Sequence, residues 1–430
     1  MQKSTLHPFK FSKKIQLNFE GGELSSDTGL LLVHEFCECF GVQELLEEYL
    51  PEDRKGDYSH QKPEILYQQI MRIIAGYPSN NAAFHLQDDP VLQKIHKNKI
   101  ASSPTCCRLE QGFSLDDMKQ LQQIQEQLMD RAYEVKKSQE VIFDIDTTYD
   151  PASSNMHGTS FNTHYGETGF SPLVCFDGKT GDILKGHLRP GKMYCSKKVV
   201  EFYKPLLKKY KKLGIPMKSR ADSGFACPEF YEANEEYDAL YYIKFKMNAK
   251  LKKHFTEELL TEEVIKKRKE VFTQWNYKAG SWDKERRLLL RLEWKGDQLF
   301  PIFSAIITND TQCTPQEGFE FYNGRATVEN SIKEGKHGFS WDHLSNESFE
   351  ANSVRFQLFL TAFLLIQLMR RLCFPEKKKT LHVQTIRTRL IKVASRVVKN
   401  SRSFIIKCAS CFPFKEFFLF NCVFPILFLP

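Results

Sequence analysis

The stretch "VIFDIDTTYD", residues 141–150, marks an abrupt change in the pattern of the chain. Before it, from Leu24 to about Tyr133, apolar residues recur mostly at helical spacing, which predicts an all-helical region. From Val141 onward, short apolar runs alternate with Gly, Asp and Pro turns, which is typical of strands. The sequence therefore predicts a helical amino-terminal region over residues 1–135, followed by an α/β region.

The order of the elements after residue 136 indicates the fold class. Three strand-like runs, "VIFDID", "GFSPLVCFDG" and "GDILKGHLRPG", predict a meander. They are followed by an amphipathic helix ending at Gly214, the strand "IPMKSRAD", a helix over "CPEFYEANEEY" and the strand "ALYYIKFK". A β-β-β-α-β-α-β order predicts an α/β fold with a mixed sheet flanked by helices. We assign residues 136–248 to the first part of this core.

The remaining segments follow from changes in pattern. Residues 249–308 are alternating and turn-rich, which predicts a β-rich insertion of antiparallel hairpins. Residues 309–398 return to helical spacing and are predicted to complete the core. Residues 399–430 form a Phe-rich tail. Within the amino-terminal region, capped amphipathic runs over residues 101–133 are consistent either with a DNA-reading helix-turn-helix or with a plain scaffold.

Composition excludes some classes of protein. A hydrophobic fraction of 41% and a charged fraction of 27% are near globular averages, so neither a disordered nor a membrane class is indicated. The most apolar window, Phe356 to Met369, carries two Gln and is flanked by Arg, so we predict a buried core helix. The amino-terminal residues lack the apolar core of a secretory signal, and the 12 cysteines are interpreted as reduced thiols. These features predict a cytoplasmic protein with no membrane partner.

The charge balance is mildly basic. Lys and Arg number 61 against 53 Asp and Glu, which gives a net charge of +8. This excess suits a polyanionic partner without requiring one. The Lys/Arg-rich stretches 185–218 and 377–407 are the predicted basic surfaces.

Two aspartates end strand-like runs. Asp146 follows Val141 to Ile145, and Asp222 follows Ile215 to Ala221. Carboxylates at strand ends often face clefts, although a lone Asp is as readily a turn residue. Two such Asp and a Glu on a packed helix can hold two divalent cations for phosphodiester chemistry. Hard oxygen ligands select Mg²⁺, with Mn²⁺ as a substitute.

The segment "YNGRATVENSIKEGKHG", Tyr322 to Gly338, supplies the candidate Glu. On a single helix at about 100° per residue, five of its side chains fall within an arc of about 80°. They are Tyr322, Arg325, Glu329, Lys333 and Lys336. A mixed charged face of this kind is ordinarily solvated surface.

Together with the two aspartates, this segment resembles the DDE transposases of bacterial insertion sequences, which have an RNase H-like catalytic core. The helix matches the signature Tyr-x2-Arg-x3-Glu-x6-Lys without a gap. The resemblance looks closest to the insertion-sequence-1380 group and spans about Leu24 to Arg371. Further matching segments are Asp144-Ile-Asp146-Thr-Thr148, Arg220 to Phe225, Ser281-Trp282-Asp283 with Arg286 and Arg287, and Phe349-Glu-Ala351-Asn352 with Arg355.

The resemblance implies roles for individual residues. Asp146, Asp222 and Glu329 would be the catalytic residues and the ligands of two Mg²⁺ ions. Asp144 remains open as the first carboxylate because it shares a strand face with Asp146. The signature also implies DNA-binding residues, which are Tyr322, Arg325 and Lys336.

The resemblance also implies a reaction and partners. The expected activity is metal-dependent DNA cleavage at the ends of an insertion sequence, followed by strand transfer. The expected partners are terminal inverted repeats, target DNA and a second copy in a homodimer, in the bacterial cytoplasm and on the nucleoid. Two alternatives remain: an RNase H-like nuclease without strand transfer, and a transposase-derived DNA-binding regulator, in which a broken carboxylate triad is expected.

Overall fold

The computed structural model describes residues 7–428, except residues 57, 98, 164, 281, 297 and 299. The described chain forms two compact units. The first contains the described residues of 1–131 and 361–430 together with 338–340, and the second contains those of 132–337 and 341–360. The division into five segments stays a prediction.

The strands and helices have the following bounds. The strands are β1 (His7–Phe9), β2 (Ser12–Leu17), β3 (Leu24–Ser25), β4 (Val141–Thr147), β5 (Asp150–Pro151), β6 (Ser160–Asn162), β7 (Glu167–Phe170), β8 (Leu173–Asp177), β9 (Ile183–His187), β10 (Met217–Ala221), β11 (Leu240–Phe245), β12 (Val271–Tyr277), β13 (Arg286–Glu293), β14 (Ile302–Thr308), β15 (Ser395–Lys399) and β16 (Phe404–Cys408). The helices are α1 (Leu30–Cys39), α2 (Val42–Tyr49), α3 (Lys62–Ala75), α4 (Ala82–Leu86), α5 (Pro90–Ile95), α6 (Ser103–Gln111), α7 (Leu115–Val135), α8 (Val199–Lys212), α9 (Pro228–Glu236), α10 (Ala249–Leu259), α11 (Glu262–Lys267), α12 (Pro315–Asn323), α13 (Ala326–Phe339), α14 (Phe349–Cys373), α15 (Val383–Ile386) and α16 (Lys415–Phe428). Short 3₁₀ turns occupy Ser223–Phe225 and Glu376–Lys378, and a π-helical turn occupies Arg387–Ile391.

The second unit is built on one mixed sheet of eight strands in the order β12-β13-β14-β11-β10-β4-β8-β9. β4, β8 and β9 pair antiparallel, which confirms the predicted meander. β10 pairs parallel with both β4 and β11. Because β4 and β10 are parallel, their carboxyl ends lie at the same edge of the sheet. Asp146 and Asp222 are at this edge.

β4 is an interior strand, and its sequence shows why. Its first six residues, Val141 to Asp146, are all buried, as expected where both faces of a strand are covered. The ring of Phe143 contacts the rings of Tyr203 and Tyr210 on α8 edge-on, at centroid distances of 5.2 and 5.4 Å. This packing fixes the strand that carries the first candidate carboxylate.

Residues 249–308 differ in part from the prediction of hairpins. They begin with α10 and α11, which the alternating pattern did not predict. The spacing of Leu251, Phe255 and Leu259 on α10 is a helical signal, and the Asn248 side chain caps the helix by accepting a hydrogen bond from Leu251 N at 2.8 Å. The hairpin strands β12, β13 and β14 are present, but they extend the central sheet because β14 pairs with β11. Whether the block is an inserted domain stays a prediction.

The prediction of continuous helix to Val398 is wrong at its end. β15 is a strand that pairs antiparallel with β3 and with β16 in the first unit. The alternation of buried Ser395 and Val397 with the exposed Arg396 between them is a strand pattern. The predicted core helix is confirmed as α14. Among the described residues it is the one helix long and apolar enough to cross a membrane, and 83% of its apolar window is buried inside the protein.

The first unit contains the predicted amino-terminal helices. Seven helices lie between Leu30 and Val135, which confirms the helical spacing there, whereas the prediction of a helical region is wrong before Leu30, where β1, β2 and β3 are strands. α3 is its most buried helix, and the Lys62 ammonium at its start lies 2.6 Å from the Asp117 carboxylate on α7. A role in DNA reading stays a prediction.

Candidate active site

Asp146 lies in β4 near the edge of the sheet, and its carboxylate is 13% exposed. Its Oδ1 accepts a hydrogen bond from Thr147 N at 2.9 Å, and its Oδ2 lies 2.8 Å from Arg325 Nη2. Burial raises the pKa of Asp146 to about 6; Arg325 opposes this shift, and the negative charges of Asp222 and Glu329 add to it. Asp222 and Glu329 are therefore close enough to Asp146 for their charges to act on it.

Asp144 has a different environment on the same strand. It is fully buried, and Arg220 donates from Nε to Oδ1 and from Nη2 to Oδ2, both at 2.6 Å. The sheet register explains this ion pair, because Arg220 on β10 stands directly beside Asp144 on β4. Both oxygens of Asp144 are thus occupied by one guanidinium, and the side chain does not face the site cavity.

Asp222 is the residue directly after β10. It caps the 3₁₀ turn Ser223–Phe225, because its Oδ1 accepts a hydrogen bond from Gly224 N at 2.8 Å. A Cβ added at Gly224 would lie 3.0 Å from both Asp222 Oδ1 and Cys195 Cβ. The turn is therefore tightly packed, and it holds the second carboxylate at the sheet edge.

The predicted single helix over Tyr322 to Lys336 is wrong, because the chain breaks it into α12 and α13. At the break the backbone bonds span three residues, from Arg325 N to Tyr322 O at 2.9 Å and from Val328 N to Arg325 O at 2.9 Å. At the break Phe321 O accepts hydrogen bonds from Arg220 Nη1 at 2.8 Å and from Gly324 N at 3.2 Å, and Arg325 N bonds to Tyr322 O in place of Phe321 O.

Because of the break, the signature residues lie on three different segments, which are α12, the connection after it and α13. Tyr322 is on α12, half-buried and packed against the cluster of Tyr242, Leu289, Ile306 and Phe319. Arg325 lies in the connection and is 9% exposed. Glu329 is exposed in the first turn of α13, and Lys336 is in its last turn.

These elements line one cavity of about 1130 Å³ in the second unit. Asp146, Asp222 and Glu329 all lie on its wall, together with Arg325, Lys333 and Lys336. Tyr322 is not on the wall, but burial raises its pKa to about 12, Arg325 opposes that shift, and the charges of Asp222 and Asp146 add to it. Among the described residues, no group of three or more His, Cys, Asp and Glu side chains is arranged to hold a metal ion.

Comparison with known proteins bears on the identity of this chain. The family model described as "Transposase DDE domain group 1" matches residues 7–423. The chain belongs to this transposase family. No curated protein matches. A similar solved structure is a cryo-EM structure of the piggyBac transposase synaptic complex with hairpin DNA, with 11% sequence identity over 90% of this chain and 83% of that one, and a TM-score of 0.40. With an identity of 11% and a TM-score of 0.40, this similarity does not establish the fold of the transposase.

Lys336 of the transposase is already occupied within the protein. Its Nζ lies 3.1 Å from Asp150 Oδ1 and donates a hydrogen bond to Tyr149 O. Its side chain is 19% exposed. The lysine for which the sequence predicted a DNA contact thus faces a carboxylate of its own chain.

Some residues of the cavity were missed by the sequence reasoning. Exposed aromatic side chains stand on its wall at Phe161 (58% exposed), Tyr165 (49%) and Tyr194 (66%). The Tyr165 ring stacks on Tyr149 with a centroid distance of 4.6 Å and an interplanar angle of 12°. The signal for Tyr194 was its place among lysines in the predicted basic stretch 185–218.

Arg189 fixes the loop that carries Tyr194. It is 2% exposed and donates to Ser171 O at 2.9 Å, to Cys195 O at 3.1 Å and to Lys197 O at 3.2 Å. Burial lowers the pKa of Arg189 to about 10. This buried cation holds the loop by its carbonyl groups.

Other segments that matched the resemblance have structural roles. Trp282 is 7% exposed and contacts the Tyr231 and Tyr277 rings edge-on. Asn352 on α14 exchanges hydrogen bonds with the backbone of Asn346 at 2.7 and 3.0 Å. Ser281 lies outside the described residues.

Proposed function

We propose that this transposase catalyses metal-dependent cleavage and strand transfer of DNA, with Asp146, Asp222 and Glu329 as its catalytic residues. The observation that supports this most directly is their convergence. The three carboxylates come from β4, from the turn after β10 and from α13, yet they line one cavity. Burial raises the pKa of Asp146, and the charges of Asp222 and Glu329 add to that shift. Repelling carboxylates in a cleft are typical of a functional site.

The same three residues are the proposed ligands of two Mg²⁺ ions, for which Mn²⁺ can substitute. DDE transposases generally use divalent metal ions. The chemistry of the donors fits, because all three groups are hard oxygen ligands, although without an ion the described side chains are not arranged as a ready metal site. A bound cation would offset the negative charges of Asp222 and Glu329, which add to the burial that raises the pKa of Asp146. When bound, such ions activate the attacking oxygen and stabilise the leaving one.

The side chains around the carboxylates have their own proposed tasks. Arg325 neutralises Asp146 from 2.8 Å, so it stabilises the ionised form of this carboxylate. The signature implies that Tyr322, Arg325 and Lys336 act on the bound DNA end, and we propose this role for Tyr322 and Arg325. Lys336 is held by Asp150 within the protein, so we do not propose this role for it. The mild excess of basic residues, net +8, supports a polyanionic partner.

The wider assignment follows from the same proposal. We place the transposase in the insertion-sequence-1380 group, acting in the bacterial cytoplasm and on the nucleoid as a homodimer that binds terminal inverted repeats and target DNA. The core is proposed to be RNase H-like. Its support is the sheet, in which an antiparallel three-stranded meander is continued by two parallel strands, with carboxylates at the ends of adjoining strands.

The test uses purified protein and DNA fragments from both flanks of its gene, with Mg²⁺ or with EDTA. Asp146→Asn, Asp222→Asn and Glu329→Gln are each expected to lower cleavage by about 10³-fold or more while leaving the protein folded. Glu320→Gln is the matched control, because Glu320 is an exposed carboxylate on α12 that does not line the cavity. Cleavage retained in the three variants would overturn the assignment.

A second experiment tests strand transfer with DNA fragments whose ends are already cleaved. These fragments should give joined products, and the absence of joined products would favour a nuclease without strand transfer.

A further inference from the structure

Two lysines of α13 face the cavity from consecutive turns, and their surroundings differ. Lys333 is exposed, and it has no ion-pair or hydrogen-bond partner within the described part of the chain. Lys336 is 19% exposed, and its ammonium group contacts Asp150 and the carbonyl of Tyr149. The two side chains therefore have different capacities to bind an incoming anion.

The buried carboxylate of Asp150 has its charge compensated by Lys336. Asp150 is fully buried on β5, where it pairs with Phe170 of β7. In the region that the structure describes, the Lys336 contact at 3.1 Å is the single polar contact of its carboxylate oxygens. Burial raises the pKa of Asp150 to about 7, and Lys336 is the group that opposes this shift. Removing the lysine would leave a buried carboxylate without compensation.

The position of the pair gives it a mechanical role. Asp150 lies four residues beyond Asp146 in the chain, and Lys336 lies about two turns beyond Glu329 on α13. The Arg325–Asp146 pair at 2.8 Å connects the start of the same helix to the same segment. Two ion pairs thus fix α13 against residues 146–150, with Glu329 between them.

We propose that Lys336 is a positioning residue, which holds Glu329 relative to Asp146 through Asp150, and that Lys333 is the lysine of this helix that binds a DNA phosphate. The second half rests on the proposed function, since it requires a DNA substrate. The first half concerns the DNA-free protein and does not depend on the reaction.

The first arm measures thermal unfolding of the protein without DNA or metal. Lys336→Met and Asp150→Asn should each lower the Tm by about 5–10 °C, because each removes one partner of a buried pair. The double variant should lose clearly less than the sum of the two. Lys333→Met and the surface control Lys267→Met should shift the Tm by less than about 2 °C.

A matched aspartate controls for burial itself. Asp177 is also buried, at 5% exposure, but it is bonded to Thr180 and to the backbone around its own turn. The losses from Asp177→Asn and Lys336→Met should therefore add. Additive losses for the Asp150→Asn and Lys336→Met pair, or an unchanged Tm in Lys336→Met, would overturn the positioning role.

The second arm measures DNA affinity by fluorescence anisotropy over a range of salt concentrations, with a duplex from the flank of the gene. Each phosphate contact contributes close to one unit to the slope of log affinity against log salt. Lys333→Met should reduce the slope by about one, whereas Lys336→Met and Lys267→Met should leave it unchanged. The reverse pattern, with the slope reduced in Lys336→Met alone, would show that Lys336 is the phosphate ligand and would refute the proposal.

The third arm separates positioning from a merely structural role. At saturating DNA, well below the Tm of every variant, Lys336→Met and Asp150→Asn should cleave at least about 10-fold more slowly with unchanged Kd, because Glu329 is misplaced. Wild-type kcat in both variants would refute positioning. If the wild-type protein cleaves no DNA, the proposed function fails, while the thermal and salt arms still decide the roles of the two lysines.

Discussion

The ion pair between Arg220 and Asp144 offers the sharpest test of how the site is supported. Arg220→Met removes a guanidinium that is 4% exposed and retains a side chain of similar length. It leaves the fully buried Asp144 without its partner, removes one of the two donors to the Phe321 carbonyl and removes the cation that lies 5.0 Å from the Phe321 ring. We expect a large loss of stability because the remaining carboxylate would be a buried, uncompensated charge.

The size of the loss follows from burial. Removing one partner of a buried ion pair costs about 3–5 kcal/mol, and removing both costs much less, because no unpaired charge remains. In a domain of 150–250 residues, each kcal/mol lowers the Tm by about 2–4 °C. Arg220→Met and Asp144→Asn should therefore lower the Tm by about 6–20 °C, and the double variant Arg220→Met with Asp144→Leu should recover most of this loss.

Calorimetry and urea unfolding are the assays, with Arg291→Met as the control. Arg291 is 24% exposed and paired with Glu270 on the surface, so its loss should cost less than about 1 kcal/mol. A loss below about 1 kcal/mol in Arg220→Met would refute the reasoning. A double variant whose loss equals the sum of the two single losses would also refute it.

Two further predictions concern pH and packing. Burial raises the pKa of Asp177 to about 6, above its unfolded value near 3.9, so its ionisation destabilises the fold as pH rises through this interval. The stability of Asp177→Asn relative to wild type should therefore increase by at most about 3 kcal/mol between pH 4 and 7, measured by urea unfolding, and a flat difference would contradict this. Gly335→Ala should lower the Tm despite the better helix propensity of alanine, because its Cβ would lie 2.4 Å from the buried ring of Trp341. Gly280→Ala, which meets nothing within 4 Å, should leave the Tm unchanged in the same calorimetric scan.

The order of strands and helices in the core was predictable because its signals are local. Each strand of the meander carries its own apolar run and ends in Gly, Asp or Pro, and α8 carries a continuous amphipathic pattern ending before Gly214. These features do not depend on how the strands pair in the sheet. The prediction of a β-β-β-α-β-α-β order was therefore confirmed for the strands of the central sheet and their helices, whereas the short strands β5, β6 and β7 between β4 and β8 were not predicted.

The interruption of the signature helix could not be predicted from its own residues. Gly324 has ordinary right-handed helical backbone angles, φ −58° and ψ −16°, so it does not by itself require a break. At the break Phe321 O accepts a hydrogen bond from Arg220, which joins residues 101 positions apart and is not visible in the local sequence. The pairing of β14 with β11, which draws β12–β14 into the central sheet, is a non-local choice of the same kind.

Three aspartates in one short segment show why the sequence alone could not distinguish a candidate metal ligand from a buried structural carboxylate. Asp144, Asp146 and Asp150 each face a basic side chain, which is Arg220, Arg325 and Lys336 respectively. Asp144 and Asp150 are fully buried, so their cations serve the fold, whereas Asp146 reaches the cavity with Asp222 and Glu329, which form no ion pair in the described chain. A cation entering the cavity therefore meets two carboxylates without an ion-pair partner and a third that it must share with Arg325. Under the proposed function, the tertiary partner of each aspartate, rather than its place in the D-x-D-x-T segment, distinguishes Asp146 from Asp144 and Asp150.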